Sequence, residues 1–155
     1  MPYRDRTEYR PPRRHIARMN RMVGRLAALG LTPRNTVALE VPGRRSGRLR
    51  RTSLVATQHE GGRYLVSLAG ESEWVRNVRS NGYRASLRRL RSRPVSLVEV
   101  PVEKRSPVLK AYLSQRAYSK SPEFEAREFF GVAVDATLGD LAAIADRYPV
   151  FRIEQ

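Results

Sequence analysis

The residues best suited to chemistry are arginines gathered around a pair of glycines. Gly43-Arg44-Arg45-Ser46-Gly47-Arg48-Leu49-Arg50-Arg51-Thr52 sets two glycines four apart, with a serine and five arginines in or beside the interval. Glycines at such positions permit a tight turn and close approach of backbone to a ligand. The amides between them can form an anion-binding concavity, to which Ser46 adds a hydroxyl. Guanidinium groups take phosphate or carboxylate in bidentate geometry, so Arg44, Arg45, Arg48, Arg50 and Arg51 point to an anionic ligand. The spacing is not that of a P-loop and lacks its Gly-Lys-Ser/Thr end. In a chain this rich in arginine, the same stretch also reads as a solvated hairpin loop.

A second candidate runs from Leu68 to Asn77, Leu68-Ala69-Gly70-Glu71-Ser72-Glu73-Trp74-Val75-Arg76-Asn77. A strand ending in small residues gives way there to a helix, whose N-terminus favours negative charge. Trp74, the only tryptophan, could wall a flat ring system, and Asn77 offers an amide one turn later. A lone tryptophan on a short helix is also an ordinary core residue. Other chemistries find no residues to work with. There is no cysteine, hence no disulfide framework or thiolate metal site, and His15 and His59 lie far apart without a further ligand at metal spacing. No nucleophilic triad or carboxylate pair stands out.

The 155 residues suffice for one hydrophobic core, and the formal net charge is +15. That charge is polarised: residues 1–93 hold 22 of the 30 basic residues and 6 of the 15 acidic ones. A surface of this kind steers anions such as phosphates, nucleic acid or acidic lipid. Nearly all of it is arginine, as the codon bias of a GC-rich genome would also give. No apolar run approaches a membrane span and no signal-peptide pattern follows Met1, so a cytoplasmic protein is expected.

The elements that must position these residues follow from periodicity. Residues 1–11 read as a flexible basic arm and residues 12–155 as one domain. Ile16, Met19, Val23, Leu26 and Leu29 recur at helical spacing, with Arg14, Arg18, Arg21 and Arg25 on another face. This amphipathic helix, 12–29, covers a core or meets a membrane surface or partner. Strands are expected at Thr36–Val41, Thr52–Gln58 and Arg63–Ala69, the last two forming a hairpin through Glu60-Gly61-Gly62. A short helix capped by Ser72 stops at Asn81-Gly82. Tyr83, Ala85 and Leu87 alternate as a strand, and a turn at Ser92-Arg93-Pro94 leads into Val95–Val102. Ser106-Pro107 and Ser121-Pro122-Glu123 read as helix starts, the second ahead of Phe124, Phe129 and Phe130. A last helix carries Leu138, Leu141, Ile144 and Ala145, and Val150–Ile153 is a closing strand. The fold class is α+β: a small antiparallel barrel of about six strands with an N-terminal amphipathic helix and C-terminal helices.

The order Gly43-Arg44-Arg45-Ser46-Gly47, Gly61-Gly62-Arg63-Tyr64-Leu65-Val66, Trp74-Val75-Arg76-Asn77-Val78 and Tyr148-Pro149-Val150-Phe151-Arg152-Ile153 resembles the deazaflavin-dependent nitroreductase and quinone reductase family. The resemblance covers about residues 15 to 100 and the last strand. It implies a split β-barrel of the flavin-reductase-like kind that binds coenzyme F-420, a deazaflavin with a phosphate and an acidic oligoglutamyl tail. By motif, Arg44, Arg45, Ser46, Gly47 and Arg50 would hold the phosphate and tail carboxylates. Leu68, Ala69 and Gly70 would pass under the ring, and Trp74 and Asn77 would flank it. Tyr112, Tyr118 and Phe130 are candidates for the substrate pocket, with Phe124 beside them. Family members pass hydride to quinones, nitroaromatics or other electron-poor acceptors, and the cofactor carries that chemistry. Two alternatives stay open. One keeps the barrel and exchanges the deazaflavin for FMN. The other is a non-catalytic basic module for nucleic acid or an anionic membrane surface, against which the scattered aromatics Tyr64, Trp74 and Tyr83 form no stacking platform. No nucleic-acid partner and no metal are expected, and peripheral membrane contact would run through helix 12–29.

Overall fold

A computed structural model describes residues 35–115 and 126–155, together with positions 18, 22, 25, 26 and 29. Strand β1 (Thr36–Pro42) pairs antiparallel with β2 (Leu49–His59), from Thr36 opposite Val55 to Pro42 opposite Leu49. Glu60 (φ 45°) and Gly61 (φ 73°) turn β2 into β3 (Gly62–Val66). Two successive left-handed residues match the twist of a hairpin, which is why a glycine serves there. Helix α1 (Glu73–Ser80) follows, then β4 (Arg84–Arg88) and β5 (Ser92–Glu99). Next come a 3-10 turn (Val102–Lys104), α2 (Ser106–Ser114) and a π-helical turn (Ala126–Phe130). Helix α3 (Leu138–Ile144), a 3-10 turn (Ala145–Arg147) and β6 (Val150–Glu154) end the series.

Strand β6 enters between β3 and β5, and β4 returns to β1. The six strands thereby close into an antiparallel barrel in the order β1-β2-β3-β6-β5-β4. Closure removes the exposed edges that would otherwise template aggregation. Alternation sends Val37, Leu39, Val41, Ala56, Leu65, Ala85, Leu87, Val95, Leu97 and Phe151 into one buried cluster, which Trp74, Val75 and Val78 of α1 join. A second cluster lies outside the barrel wall. There Val55, Val66 and Val150 meet Val108, Leu109, Tyr112 and Leu113 of α2, with Phe130, Leu141 and Tyr148.

The barrel, its strand count and the C-terminal helices agree with the sequence reading, and several boundaries move. β2 begins at Leu49 rather than Thr52, because Leu49–Arg51 pair with β1. β3 ends at Val66 rather than Ala69, since Ser67 starts a turn of its own. The turn expected at Ser92–Pro94 is strand, with Pro94 opposite Ser86. A proline fits a strand wherever its missing N–H faces no partner, so the local signal misled. The reversal lies instead around Leu90, whose φ is 140°. The last β5 residue is Glu99 rather than Val102, and Arg105, not Ser106, caps α2, with Pro107 in its first turn as anticipated. Arg18, Met22, Arg25 and Leu26 are helical. The basic arm 1–11, most of helix 12–29, Tyr118, the Ser121-Pro122 start and Phe124 lie outside the described residues.

Candidate functional site

The loop between β1 and β2 closes on itself. The Gly43 amide donates to the Arg48 carbonyl at 2.8 Å, and the Gly47 amide to the Gly43 carbonyl at 2.8 Å. Gly47 sits at φ 65°, where a side chain would be strained. A Cβ at Gly43 would fall 3.1 Å from Ser46 Oγ, so that position is held to glycine by crowding. Ser46 Oγ accepts from the Arg48 amide at 3.3 Å. No hydrogen bond among the described residues engages the amides of Arg45 and Ser46, nor the guanidinium groups of Arg45, Arg48 and Arg50. Those three arginines are exposed. The loop therefore offers donors and positive charge with nothing yet satisfying them, which is what an anion needs.

Arg44 has another task. Its guanidinium clamps Glu73 at 2.6 and 3.3 Å, and Asn77 Oδ1 accepts from both its amide and its Nη1 at 3.1 Å. Hydrogen bonding to Arg44 holds the Glu73 carboxyl below the ordinary carboxylate range, against a smaller opposing effect of burial. The same bond raises Arg44 in turn. Asn77 is buried on α1, so the loop is pinned to that helix at two points.

The turn after β3 carries its own network. Ser67 Oγ donates to the Gly70 carbonyl at 2.6 Å and lies 3.0 Å from Ser72 Oγ. Gly70 adopts φ 66°, and no hydrogen bond among the described residues engages the amides of Leu68, Ala69 and Gly70. Glu71 is buried beneath the turn and paired with Arg79, which also binds Glu99 at 3.0 and 2.6 Å. Burial disfavours charge on Arg79, yet its bonds to Glu99 and Glu71 prevail and raise its pKa. Arg105, 2% exposed, extends the chain: it donates to Glu99 and to the carbonyls of Val100, Ala145 and Tyr148. This run of charges ties the turn to α1, β5 and the segment before β6.

The structure thus brings Arg44, Arg45, Ser46, Gly47 and Asn77 together, with Arg50 on the strand that leaves the loop. Trp74 packs inside the barrel with its ring centroid 5.5 Å from that of Phe151. Tyr112 and Phe130 pack edge to face at 5.9 Å in the second cluster, and Phe130 meets Tyr148 at 4.8 Å with the rings tilted by 50°. Glu73, Arg79 and Arg105 were not singled out from the sequence. Glu73 was visible only as a first-turn acid, and nothing local marks Arg105 among 30 basic residues. Among the described residues no group of three or more His, Asp or Glu could hold a metal ion. No described helix is long and apolar enough to cross a membrane.

A six-stranded antiparallel barrel with an arginine loop pinned to α1 defines a small barrel protein that carries an anion-attracting loop. The chain belongs to the F420H(2)-dependent quinone reductase family, whose model matches residues 11–129. It is an oxidoreductase that uses coenzyme F-420. Two solved structures share the fold. One, described as a domain-swapped dimer, is 19% identical with a TM-score of 0.53, over 90% of this chain and 96% of that one. The other, described as an F420-H2 dependent reductase (FDR-A), is 20% identical with a TM-score of 0.50, over 78% and 95%. No curated protein sequence matches the chain.

Proposed function

We propose that this oxidoreductase passes hydride from reduced coenzyme F-420 to a quinone, with nitroaromatics as further acceptors. The observation that carries the reading is the set of unengaged donors in one loop: the Arg45 and Ser46 amides and the Arg45, Arg48 and Arg50 side chains. They suit the phosphate and glutamyl carboxylates of that cofactor, so the residues fit the group. Arg45, Ser46, Gly47 and Arg50 hold the anionic groups. Arg44 and Asn77 are positioning residues that fix the loop to α1. The unengaged amides at Leu68–Gly70 would supply further polar contacts to the cofactor, and Trp74 supports α1 from the core. The deazaflavin supplies the hydride; the chain supplies orientation and charge.

The test is anaerobic mixing of the protein with reduced coenzyme F-420 and a soluble naphthoquinone, then with a nitrobenzene. Acceptor-dependent return of the oxidised deazaflavin absorbance supports the reading. Absence of turnover with every quinone and nitroaromatic, in a protein that binds the cofactor, removes the acceptor assignment. A yellow protein that reduces the same acceptors with chemically reduced FMN, and not with reduced coenzyme F-420, would replace the cofactor.

A further inference from the structure

We propose a second anion site on the outside of the barrel, for an amphiphile that carries a phosphate monoester on an alkyl chain. An open depression of about 480 Å3 lies there, lined by Arg25, Leu29, Arg51, Arg88 and Leu90. It is separate from the arginine loop. Leu39, Val41 and Leu87 point into the barrel, so Glu40, Arg51 and Arg88 stand on its outer face. Arg50, next along β2, faces the opposite way.

Charge and surface define the occupant. Buried Glu40 accepts from Arg51 Nε and Nη2 at 2.9 and 2.6 Å, and Arg88 reaches it at 3.5 Å. Ser92 Oγ takes its other oxygen at 3.0 Å. One carboxylate against Arg25, Arg51 and Arg88 leaves an excess of two positive charges. Arg51 Nη1 and the Arg25 guanidinium have no partner among the described residues. A phosphate monoester carries close to two negative charges at neutral pH and three acceptor oxygens, which matches that excess. The apolar half of the lining is equally unsatisfied. Leu29 is 62% exposed and Leu90 73%, and Leu90 is held at φ 140°, a region that side chains other than glycine enter only under strain. A strained leucine presented to solvent at the rim of a cationic depression is an apolar wall awaiting a chain.

The experiment is calorimetric titration of the full chain with dodecyl phosphate below its micellar concentration, with inorganic phosphate, and with vesicles containing phosphatidic acid. With the loop's own anion site disabled by Arg45→Ser and Arg50→Ser, one dodecyl phosphate should bind per chain, and inorganic phosphate at least tenfold more weakly, since the tail's burial is lost. Leu90→Gly should weaken dodecyl phosphate about tenfold and leave inorganic phosphate unchanged. Arg25→Ser with Arg88→Ser should weaken both about tenfold, while Arg45→Ser with Arg50→Ser should leave both unchanged at this site. Leu90→Gly relieves strain and folds, so the test survives if the arginine variant does not. Added vesicle binding that depends on Arg25 and Leu90 makes a membrane lipid the source; its absence makes it a free amphiphile. The proposal is overturned if no saturable binding occurs, if dodecyl and inorganic phosphate bind alike, if Arg45 and Arg50 control the affinity, or if only vesicles bind.

Discussion

Replacing Glu73 by Gln should tighten the arginine loop's hold on its cofactor while costing the fold little. Glu73 is 63% exposed and Arg44 20%, so their bidentate contact is largely a surface pair. Such pairs are worth about 0.5–1 kcal/mol at most, which for a domain of this size moves Tm by about 2–4 °C per kcal/mol. Asn77 keeps both of its bonds to Arg44, so the loop stays attached to α1. The affinity moves the other way, because the substitution removes a negative charge that stands beside the loop and repels the ligand's anionic groups. A unit charge about 7 Å from another in water contributes about 0.6 kcal/mol, or nearly threefold in affinity for each nearby anionic group of the ligand. With two such groups the gain is about eightfold at low salt, and it should collapse as the Debye length shrinks to about 3 Å at 1 M. The assay is a titration of oxidised coenzyme F-420, read by deazaflavin fluorescence at low and high ionic strength, beside urea unfolding of both proteins. Unchanged or weaker binding at low salt would refute the idea that the Glu73 carboxylate opposes the ligand's negative charge. A stability loss above about 2 kcal/mol would refute the surface-pair accounting.

Three further outcomes are expected. Arg45→Ser with Arg50→Ser should weaken coenzyme F-420 about 100-fold, at about 1.4 kcal/mol for each charged contact, and flatten the salt dependence; a titration with unaltered affinity would take the loop out of the cofactor site. Arg105→Leu should cost about 3–5 kcal/mol in urea unfolding, because it strands buried carbonyls and a Glu99 contact; a loss below about 1 kcal/mol would mean those groups are resolvated. Glu40 sits below the ordinary carboxylate range: burial pushes it up, but hydrogen bonds from Arg51 and Ser92 and the charges of Arg51 and Arg88 outweigh that. Its stabilisation is therefore present above the unfolded-state value and lost as pH falls through the depressed folded value. Glu40→Gln should lower stability at neutral pH and flatten the acid limb of a urea-midpoint profile, and an acid limb identical to that of the unmodified chain would contradict it.

Much of the barrel was legible because its strands alternate so regularly. Ala85 and Leu87 against Ser86 and Arg88 declare a face without help from neighbours, and the β-branched, apolar run Thr36–Val41 declares a strand that is buried on both faces. Gly61 likewise declared its hairpin. What stayed hidden is non-local. The pairing of β1 with β4 and the entry of β6 between β3 and β5 leave no mark within either strand. Pro94 looked like punctuation because its tolerance depends on which side of the ladder it occupies. In the site, the loop and the turn were readable from glycines and arginines. The identity of Arg44's partners was not, since Glu73 and Asn77 lie about thirty residues away and meet it only once α1 packs. Arg105 was hidden for the opposite reason: a buried cation in an arginine-rich chain looks like any exposed one until its carbonyl partners surround it.

The place of β6 has a consequence for how the chain is made. Its residues 150–154 complete the wall between β3 and β5, which are otherwise two open margins of an unfinished sheet. During synthesis everything from β1 to α3 leaves the ribosome before that gap can be filled. The nascent chain must then carry two unpaired strand edges and an uncovered apolar interior until residues 150–154 emerge. The chain is thus exposed to aggregation and to chaperone capture from the emergence of β5 until residues 150–154 have themselves cleared the ribosome.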